Sequence, residues 1–379
     1  MKRKKLLIVS HTEHYINQNQ EIVGWGPTIN EVNFLSDFWD EVVHIGCLYK
    51  DFAPKSALPY SKNTIKYVPI PPYGGKTLLS KLMVFVKIPK IIFQVVRNLN
   101  GATEVQLRLP TSMGLFLLPL FSFILPRKYT LWVKYAGNWG AEQPPLSYRI
   151  QRWWLKKNLM NCKVTLNGFW PDQEGHCYSF ENPCLVKEDI EIGEIIAQKK
   201  DFTEDFVLTF VGRLEDEKGV AKIIESISTI STDKINKIHF IGDGPKRVLY
   251  EQQASFLKDK VVFHGFLSKN DLQPILADSH FYLLPSESEG FPKTIAEAAC
   301  YGVLPIVSDV GSISHYIGSQ NGYLWMRNEN VSYGEILEKA LLESEKKLKE
   351  KSCELRILSE KFTFTAYLEK LNTYILSNR

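Results

Sequence analysis

One stretch of the sequence, residues 282–302, constrains the fold more than any other. Its first residues, 282–284, end an apolar run and are typical of the tip of a buried parallel strand. A polar loop follows, and Pro292 and Gly302 then bracket a run of small, helix-tolerant residues. Proline fits the first helical position, and glycine fits the position just past the helix end. A strand that passes through a loop into a helix predicts an α/β protein.

Two carboxylates stand on either side of this predicted helix start. Glu289 lies in the loop, and Glu297 lies inside the helix, eight positions later. The N–H groups of a first helical turn have no partner within the helix, so an anion binds there readily. A bound phosphate would have one carboxylate on each side to accept hydrogen bonds from sugar hydroxyls, which indicates a nucleotide sugar. The spacing alone also fits a solvated glutamate beside an ordinary helical one.

The sequence around the two glutamates resembles the signature of retaining glycosyltransferase family 4. Residues 289–307 read Glu-Gly-Phe-Pro-Lys-Thr-Ile-Ala-Glu-Ala-Ala-Cys-Tyr-Gly-Val-Leu-Pro-Ile-Val, and the family's Glu-x7-Glu motif has the same frame. One departure is Pro292, where many members carry glycine. The resemblance implies that Glu289 faces the transferred sugar and that Glu297 binds ribose hydroxyls. It also implies that the donor contacts Gly290, Phe291, Pro292, Lys293 and Thr294.

A second motif follows the apolar run 206–211. It reads Gly212-Arg213-Leu214-Glu215-Asp216-Glu217-Lys218-Gly219 and resembles the family's Gly-Arg-Leu-x-x-x-Lys-Gly motif. Two loop cations are most often solvated surface groups, but the resemblance implies that Arg213 and Lys218 hold the donor diphosphate beside Gly212. A departing nucleoside diphosphate gains negative charge in the transition state, and fixed cations stabilise that charge. The sequence contains no Asp-x-Asp motif, so we expect neither a metal nor a cofactor beyond the donor substrate.

Alternating strand and helix patterns extend through the whole chain. Its 379 residues are enough for two domains. We therefore predict the GT-B architecture, with two Rossmann-like domains and an interdomain cleft. The predicted parts are an acceptor-binding domain at 1–185, a nucleotide-sugar-binding domain at 186–363 and a closing helix at 364–379 that packs back on the first domain. Residues 180–205 are interpreted as an irregular, charged linker.

Other candidate residues rest on weaker patterns. Gly24 and Gly26 lie between a first strand and a helix, where glycine allows a ligand to approach the backbone, although a tight turn explains the same pattern. Phe263 lies in the region that is beside the nucleotide base in relatives, and a core strand residue is an equally good interpretation.

The predicted strand at 129–135 supplies further candidates in the first domain. Open α/β sheets bind ligands at the carboxyl ends of their strands, which places Lys134, Tyr135 and Asn138 near the cleft. Many relatives carry a histidine at about this loop, and this chain has none there. No acceptor-side base is therefore assigned.

Composition narrows the class of protein and its compartment. Apolar content of 44% and charged content of 23% are ordinary for a soluble globular protein. The six cysteines show no C-x-x-C spacing, which favours a reducing compartment and argues against a zinc site or a disulfide framework. The apolar run at 6–10 is too short for a secretory signal. We therefore expect a cytoplasmic protein.

Charge is distributed unevenly along the chain. Residues 1–185 carry 22 Lys and Arg against 12 Asp and Glu, and the remainder carries 24 against 30. A basic first half predicts an anionic partner. Two apolar segments there are interrupted by basic residues: 78–99, with Lys81, Lys87, Lys90 and Arg97, and 148–157, with Trp153 and Trp154. Each fits either a half-buried surface helix or a helix at an anionic membrane surface.

Together these patterns predict a retaining, metal-independent glycosyltransferase of the hexosyltransferase type. It would move a sugar from a UDP- or GDP-sugar to a glycan acceptor, lipid-diphosphate-linked and at the inner membrane surface, in capsule or O-antigen biosynthesis. No nucleic acid is expected as a partner. A nucleotide-sugar epimerase of the same fold and a non-catalytic sugar-nucleotide-binding subunit are the alternatives.

Overall fold

The computed structural model describes residues 3–74, 78–125, 128–203 and 205–377, without the side chains of 78–82. The chain divides into two compact units, one formed by 1–180 with 369–379 and the other by 181–368. Each unit has its own sheet and its own core. The sequence-based boundaries at 185 and 363 lie five residues from the observed ones.

The first unit is built on a nine-stranded sheet. Its strands are β1 (Lys5–Ile16), β2 (Ile22–Trp25), β3 (Glu41–Leu48), β4 (Ala57–Pro59), β5 (Ile65–Ile70), β6 (Glu104–Leu109), β7 (Thr130–Tyr135), β8 (Lys163–Asn167) and β9 (Cys177–Phe180). The parallel strands run in the order β5-β3-β1-β6-β7-β8-β9, and β2 and β4 add an antiparallel extension beside the end of β1. Runs such as Leu6–Val9 are buried on both faces, as expected of parallel strands between helices.

The helices of the first unit cover this sheet. They are α1 (Gly26–Leu35), α2 (Leu78–Asn98), α3 (Gly114–Pro119) and α4 (Leu146–Lys156), with wider turns at Leu120–Ile124 and Leu371–Leu376. Within the described residues, no helix has both the length and the apolarity needed to cross a bilayer.

The second unit contains a six-stranded sheet in which all strands are parallel. Its strands are β10 (Phe206–Val211), β11 (Ile235–Ile241), β12 (Val261–Gly265), β13 (Phe281–Leu284), β14 (Leu304–Ser308) and β15 (Tyr323–Trp325). They lie in the order β12-β11-β10-β13-β14-β15. This is the doubly wound Rossmann order, which reverses between β10 and β13, and ligands bind such sheets outside the carboxyl ends of the strands at that point.

Helices cover both faces of the second sheet. They are α5 (Lys187–Lys199), α6 (Val220–Thr229), α7 (Arg247–Gln253), α8 (Lys269–Asp278), α9 (Lys293–Cys300), α10 (Ile313–Tyr316), α11 (Tyr333–Leu341), α12 (Glu345–Ser359) and α13 (Phe364–Lys370). Shorter 3-10 turns lie at Asp216–Lys218, Ala254–Lys260 and Glu360–Phe362. The last helix begins in the second unit, and the chain from 369 onward belongs to the first.

The irregular linker predicted at 180–205 is wrong, because α5 occupies half of it. The Asp189 carboxylate accepts a hydrogen bond from the Val186 N–H at 2.9 Å and so stabilises the helix start. Gly193 then allows α5 to pack tightly on the end of α9, since a Cβ there would lie 2.3 Å from the Cys300 carbonyl oxygen. Many acidic and basic residues hid this short helix from pattern analysis.

Candidate active site

Three loops meet at the carboxyl ends of β10, β11 and β13, and glycines let their backbones touch. Gly219 has a φ of +76°, and a Cβ there would lie 2.3 Å from the Pro285 carbonyl oxygen. Gly242 has a φ of +126°, and a Cβ there would lie 1.9 Å from the Gly212 carbonyl oxygen. Neither position accepts a larger residue without movement of the backbone. The loops therefore form a closely packed support for the side chains they carry.

An ion pair joins two of the residues predicted from sequence. The Lys218 ammonium donates to Glu289 Oε1 at 2.6 Å, although the residues are 71 positions apart. A backbone hydrogen bond of 2.8 Å from Glu287 to Glu217 holds the same two loops together. The Glu289 side chain is 11% exposed and that of Lys218 is 26% exposed, so both reach the surface of the site. Lysine has three N–H donors, so Lys218 can bind an anion while it contacts Glu289.

The backbone around Glu289 is fixed from behind. The Gly290 carbonyl accepts hydrogen bonds from Ser312, from its N–H at 2.9 Å and from its hydroxyl at 3.1 Å. Gly311, with a φ of +63°, packs against the Glu289 carbonyl oxygen, which a Cβ would approach to 2.0 Å. Around Gly290, by contrast, no described heavy atom lies within 4 Å of the place where a Cβ would be. A ligand can therefore approach Gly290 closely.

The start of α9 differs by one residue from the prediction. Pro292 is the extended residue that caps the helix, and Lys293 is the first helical residue. The N–H groups of Lys293 and Thr294 have no acceptor within the helix and are available to an anion. Tyr282, which the sequence analysis missed, contacts the Thr294 hydroxyl at 2.6 Å and donates to the Val211 carbonyl at 3.2 Å. It thereby ties the helix start to the end of β10.

Glu297 lies on α9, whose opposite side packs into the core through Ile295, Ala298 and Ala299. Glu297 is half-buried, and desolvation raises the pKa of its carboxyl, an effect that Lys293 and then Lys269 oppose. Among the described residues, no group donates a hydrogen bond to this carboxylate. It is therefore an acceptor that a ligand hydroxyl could satisfy.

A cavity of about 410 Å³ opens at the ends of β10 and β11. Its lining residues are Val211, Gly212, Arg213, Ile241, Gly242, Asp243, Phe266, Leu267 and Leu272. Phe263, the predicted base contact, is not among them, because its ring stacks on Phe240 at 4.7 Å between centroids within the sheet. Phe266, three residues later, supplies the aromatic surface instead. An apolar cavity beside a Rossmann switch point suits a flat aromatic base.

Arg213 lies at the mouth of this cavity and is the more accessible of the two predicted cations. Its side chain is 70% exposed and forms an ion pair with Glu215 at 3.2 Å. An exposed ion pair of this kind contributes little stability, so the guanidinium can turn toward an anion at low cost.

The side chains of two predicted site residues contact other parts of the protein. The Phe291 side chain is buried and stacks on Phe362, with ring centroids 4.7 Å apart. The Lys293 ammonium donates to the Pro183 carbonyl at 2.7 Å. In this structure both side chains anchor the loop and the helix, and their backbones lie beside the site. A donor contact by Phe291 and Lys293 stays a prediction.

In the first unit, Gly24 lies inside β2 rather than in a loop. A Cβ on Gly24 would lie 2.6 Å from the His14 ring, and one on Gly26 would lie 2.6 Å from the Ser56 carbonyl oxygen. Close packing therefore accounts for both glycines, and a role for them at a ligand stays a prediction.

The loop after β7 gives a mixed result. Asn138 Oδ1 is buried and has no hydrogen-bond partner among the described residues. Lys134 is buried, and its ammonium donates to Glu31 Oε2 at 2.6 Å. The charge of Lys134 is therefore neutralised inside the unit, and its place near the cleft stays a prediction. A ligand role for Asn138 stays a prediction.

Comparison with known proteins identifies relatives of the second unit. Residues 191–367 match the family model described as "Glycosyl transferases group 1". Most of the second unit is thus similar to the group 1 glycosyl transferases. The chain is also similar to the "Putative teichuronic acid biosynthesis glycosyltransferase TuaC" of Bacillus subtilis, with 31% identity over 30% of this chain and 28% of TuaC. The matches span between 26% and 50% of the lengths of the first curated relatives.

Solved structures resemble the whole chain. Sucrose-phosphate synthase from Thermosynechococcus elongatus matches with a TM-score of 0.70 and 14% identity over 100% of both chains. Anabaena Alr3699/HepE, solved in complex with UDP and glucose, matches with a TM-score of 0.67 and 16% identity over 99% of this chain and 100% of HepE. At such identities the likeness shows the fold alone. The two Rossmann-like sheets and these neighbours confirm the predicted GT-B fold.

Proposed function

We propose that this protein is a retaining, metal-independent glycosyltransferase that uses a nucleotide-diphosphate sugar as its donor. One observation carries the proposal: Lys218 and Glu289 meet at 2.6 Å at the switch point of a Rossmann sheet. The start of α9 and the unsatisfied Glu297 carboxylate belong to the same loop and helix. A cation, a helix N-terminus and two carboxylates suit a ligand that joins a diphosphate to two polyols.

In the proposed complex, each part of the donor has a named partner. The base enters the apolar cavity beside Phe266, and Glu297 accepts hydrogen bonds from ribose hydroxyls. Arg213, Lys218 and the N–H groups at the start of α9 bind the diphosphate. The sugar then lies toward Glu289. The solved HepE structure with UDP and glucose supports a donor of this class for a protein of this fold.

The reaction needs charge stabilisation at two places. As the bond from the anomeric carbon to the phosphate oxygen breaks, positive charge develops on the sugar and negative charge on the diphosphate. Glu289 stabilises the first, and Lys218 and Arg213 stabilise the second. The acceptor oxygen bonds to the anomeric carbon on the face that the diphosphate leaves, and its proton passes to a phosphate oxygen. The anomeric configuration is then retained.

Metal independence follows from the same cations. Lys218, Arg213 and the positive end of the α9 dipole together offset the charge of a leaving diphosphate. We expect that transfer continues in the presence of EDTA.

For the acceptor, we propose a lipid-diphosphate-linked glycan at the inner surface of the cell membrane, in the assembly of a cell-surface polysaccharide. The similarity to TuaC, named for teichuronic acid biosynthesis, supports this class of product. The excess of Lys and Arg in residues 1–185 suits an anionic lipid-linked acceptor.

The proposal is tested by incubating purified protein with UDP- and GDP-sugars, EDTA and a bacterial lipid extract as the acceptor source. Wild type should transfer sugar and release the nucleoside diphosphate, and NMR of the product should show the anomeric configuration of the donor. Glu289→Gln and Arg213→Ala should abolish transfer without lowering the melting temperature. The exposed Lys346→Ala is the matched control, because its side chain pairs only weakly with Glu350 at 4.0 Å.

Three results would count against the assignment. Wild-type turnover by both variants would remove the proposed roles of Glu289 and Arg213. Epimerised or free sugar formed from the donor alone would favour an epimerase of the same fold. Tight donor binding without turnover on any acceptor would favour a non-catalytic binding subunit.

A further inference from the structure

One side of the first unit exposes apolar side chains where a surface helix ordinarily carries polar ones. The buried positions of α2 recur every three or four residues, at Val84, Ile88, Ile91 and Val95. The opposite stripe of the helix, which faces solvent, carries Val86, Lys90, Phe93 and Arg97. A soluble amphipathic helix gives that stripe to charged and polar residues alone. Here large apolar groups alternate with cations.

Neighbouring segments continue this surface through contacts between aromatic rings. Phe85 on α2 meets Phe116 on α3 edge-on, with centroids 5.6 Å apart. Seven residues further along the same helical segment, Phe123 meets Trp154 of α4 at 5.8 Å. Phe123 is 70% exposed, as is Ile124. We name this surface the aromatic face and define it by its exposed members Phe85, Val86, Phe93, Phe123, Ile124 and Trp153.

Cations predominate on α2 and α4, two of the helices that carry the aromatic face, and neither helix contains an acidic residue. Between Asp51 and Asp172 the sequence carries 17 Lys and Arg but two acids, Glu104 and Glu142. Glu104 is buried and accepts a hydrogen bond from the Trp39 indole at 2.9 Å, so it does not reach this surface. On α4, Arg149 and Lys156 are exposed on the helix that carries Trp153, and the exposed Lys157 follows it. Lys156 pairs with Glu174 at 3.6 Å, a partly exposed ion pair that contributes little stability.

We propose that the aromatic face docks the protein on an anionic lipid bilayer. Exposed Phe, Ile and Trp side chains insert at the level of the head groups, and the surrounding Lys and Arg pair with lipid phosphates. A second copy of this chain would bring cations against cations, which disfavours self-association through the same surface. The proposal does not depend on sugar transfer, because it rests on exposure and charge within the first unit.

The test uses the full chain and vesicles of two compositions. Flotation should show binding to phosphatidylcholine–phosphatidylglycerol vesicles and not to pure phosphatidylcholine vesicles, with binding lost at high salt. The tryptophan emission should shift to shorter wavelength on binding, and Trp153→Phe should reduce that shift.

Two variants separate the apolar from the charged contribution. Phe93→Ser with Phe123→Ser removes inserted rings, and Lys90→Glu with Arg97→Glu reverses cations; the charge variant should bind roughly thirtyfold more weakly or worse at low salt. The matched control is Val248→Ser with Lys346→Glu in the second unit, where Val248 is 67% exposed. It should bind like wild type. All six positions are exposed, so equal melting temperatures should show that each variant is folded.

Several outcomes would overturn the proposal. The first is that wild type fails to bind anionic vesicles at low salt, and the second is that both face variants bind like wild type. The third is a loss of vesicle binding by the control variant that equals the loss by the face variants. If light scattering shows that wild type is a dimer and that the variant with Phe93→Ser and Phe123→Ser is a monomer, the aromatic face binds a second copy of the chain instead. Binding to duplex nucleic acid without binding to anionic vesicles would assign it to that partner instead.

Discussion

At the scale of single residues, the site depends on groups that restrain one another. Lys218 and Glu289 share a short ion pair, so each fixes the position of the other. A Lys218→Ala change therefore removes a diphosphate contact and also leaves the partly buried Glu289 carboxylate without its counter-ion. Both effects should lower the rate of sugar transfer. The hydrophobic core is unchanged, because neither side chain is part of it.

The charged carboxylate of Glu297 is predicted to lower the stability of the ligand-free protein at neutral pH. Burial raises its folded-state pKa above that of the unfolded chain. Its contribution to the free energy of unfolding is therefore present at low pH and lost as pH rises through the folded pKa. Without ligand, Glu297→Gln should melt at or above wild type at pH 7.5, and the difference should vanish below about pH 4.3. Thermal unfolding between pH 4 and pH 8 measures this.

The same substitution should weaken ligand binding. A hydrogen bond to a charged carboxylate contributes about 1.5–3 kcal/mol, so Glu297→Gln should lower the affinity for a nucleoside diphosphate by roughly tenfold or more. Wild-type affinity should fall as pH is lowered toward the raised pKa, while that of the variant should change less. A variant that melts below wild type at neutral pH, yet binds nucleotide normally, would contradict this account of Glu297.

Tyr282 gives a prediction for a residue that does not itself touch the donor in this account. Tyr282→Phe removes the hydroxyl that joins Val211 to Thr294, and the loss should cost about 1–3 kcal/mol because these groups are buried. The looser helix start should raise KM for the donor more than it lowers kcat. Urea unfolding and steady-state kinetics check the two parts. A fall in kcat at unchanged KM would indicate a different role for Tyr282.

At the scale of elements, α9 links the fold to the site. Its end is a Schellman cap, in which the Gly302 N–H donates to Ala299 and the Val303 N–H donates to Ala298. Gly302 has a φ of +67°, and a Cβ there would lie 2.3 Å from the Ser352 hydroxyl. The helix is therefore fixed at its end by backbone geometry and at its start by Tyr282.

Glycine substitutions should separate stability from activity. Gly302→Ala should cost about 1–2 kcal/mol of stability, because its φ is positive. Gly290→Ala should leave the melting temperature unchanged but reduce donor affinity, because its side faces open space at the site. Gly175→Ala, also in open space, is the control and should change neither. If Gly290→Ala binds the donor like wild type, the ligand does not approach this backbone.

Much of the element order could be predicted from the sequence, because parallel strands buried on both faces appear as uninterrupted apolar runs. The strand at Leu304–Ser308 and the position of Gly302 past a helix end match the prediction. The helix α5 and the strand position of Gly24 could not be predicted, since each depends on tertiary packing: α5 packs against Cys300, which is distant in sequence, and Gly24 packs against His14 on the adjacent strand. The many charged residues of α5 also obscured its helical pattern.

Only those residues of the candidate site that belong to a recognisable sequence motif could be predicted. The resemblance placed Lys218 and Glu289 in one site, and their ion pair is consistent with that. It did not show that Phe291 and Lys293 turn into the protein, or that Phe266 and not Phe263 lines the cavity. Side-chain direction in a loop depends on tertiary contacts, which a linear pattern does not contain. Tyr282 was missed because a strand tyrosine is usually a core residue.

At the scale of the whole molecule, the two units share a doubly wound architecture but differ in what they present. The second unit carries the cations and carboxylates of the proposed donor site at its switch point. The first carries the cation-rich aromatic face. Donor chemistry and attachment to a lipid surface are thus separate properties, and variants of one unit should leave the other property unchanged.

The central claim is that Arg213, Lys218 and Glu297 surround one bound nucleoside diphosphate. Isothermal titration of UDP and GDP into wild type, Arg213→Ala, Lys218→Ala, Glu297→Gln and the control Lys346→Ala tests it directly. We predict that at least one nucleotide binds wild type and the control equally, and binds each site variant roughly tenfold or more weakly. Affinities of all three site variants within twofold of wild type, with every protein folded, would contradict the account.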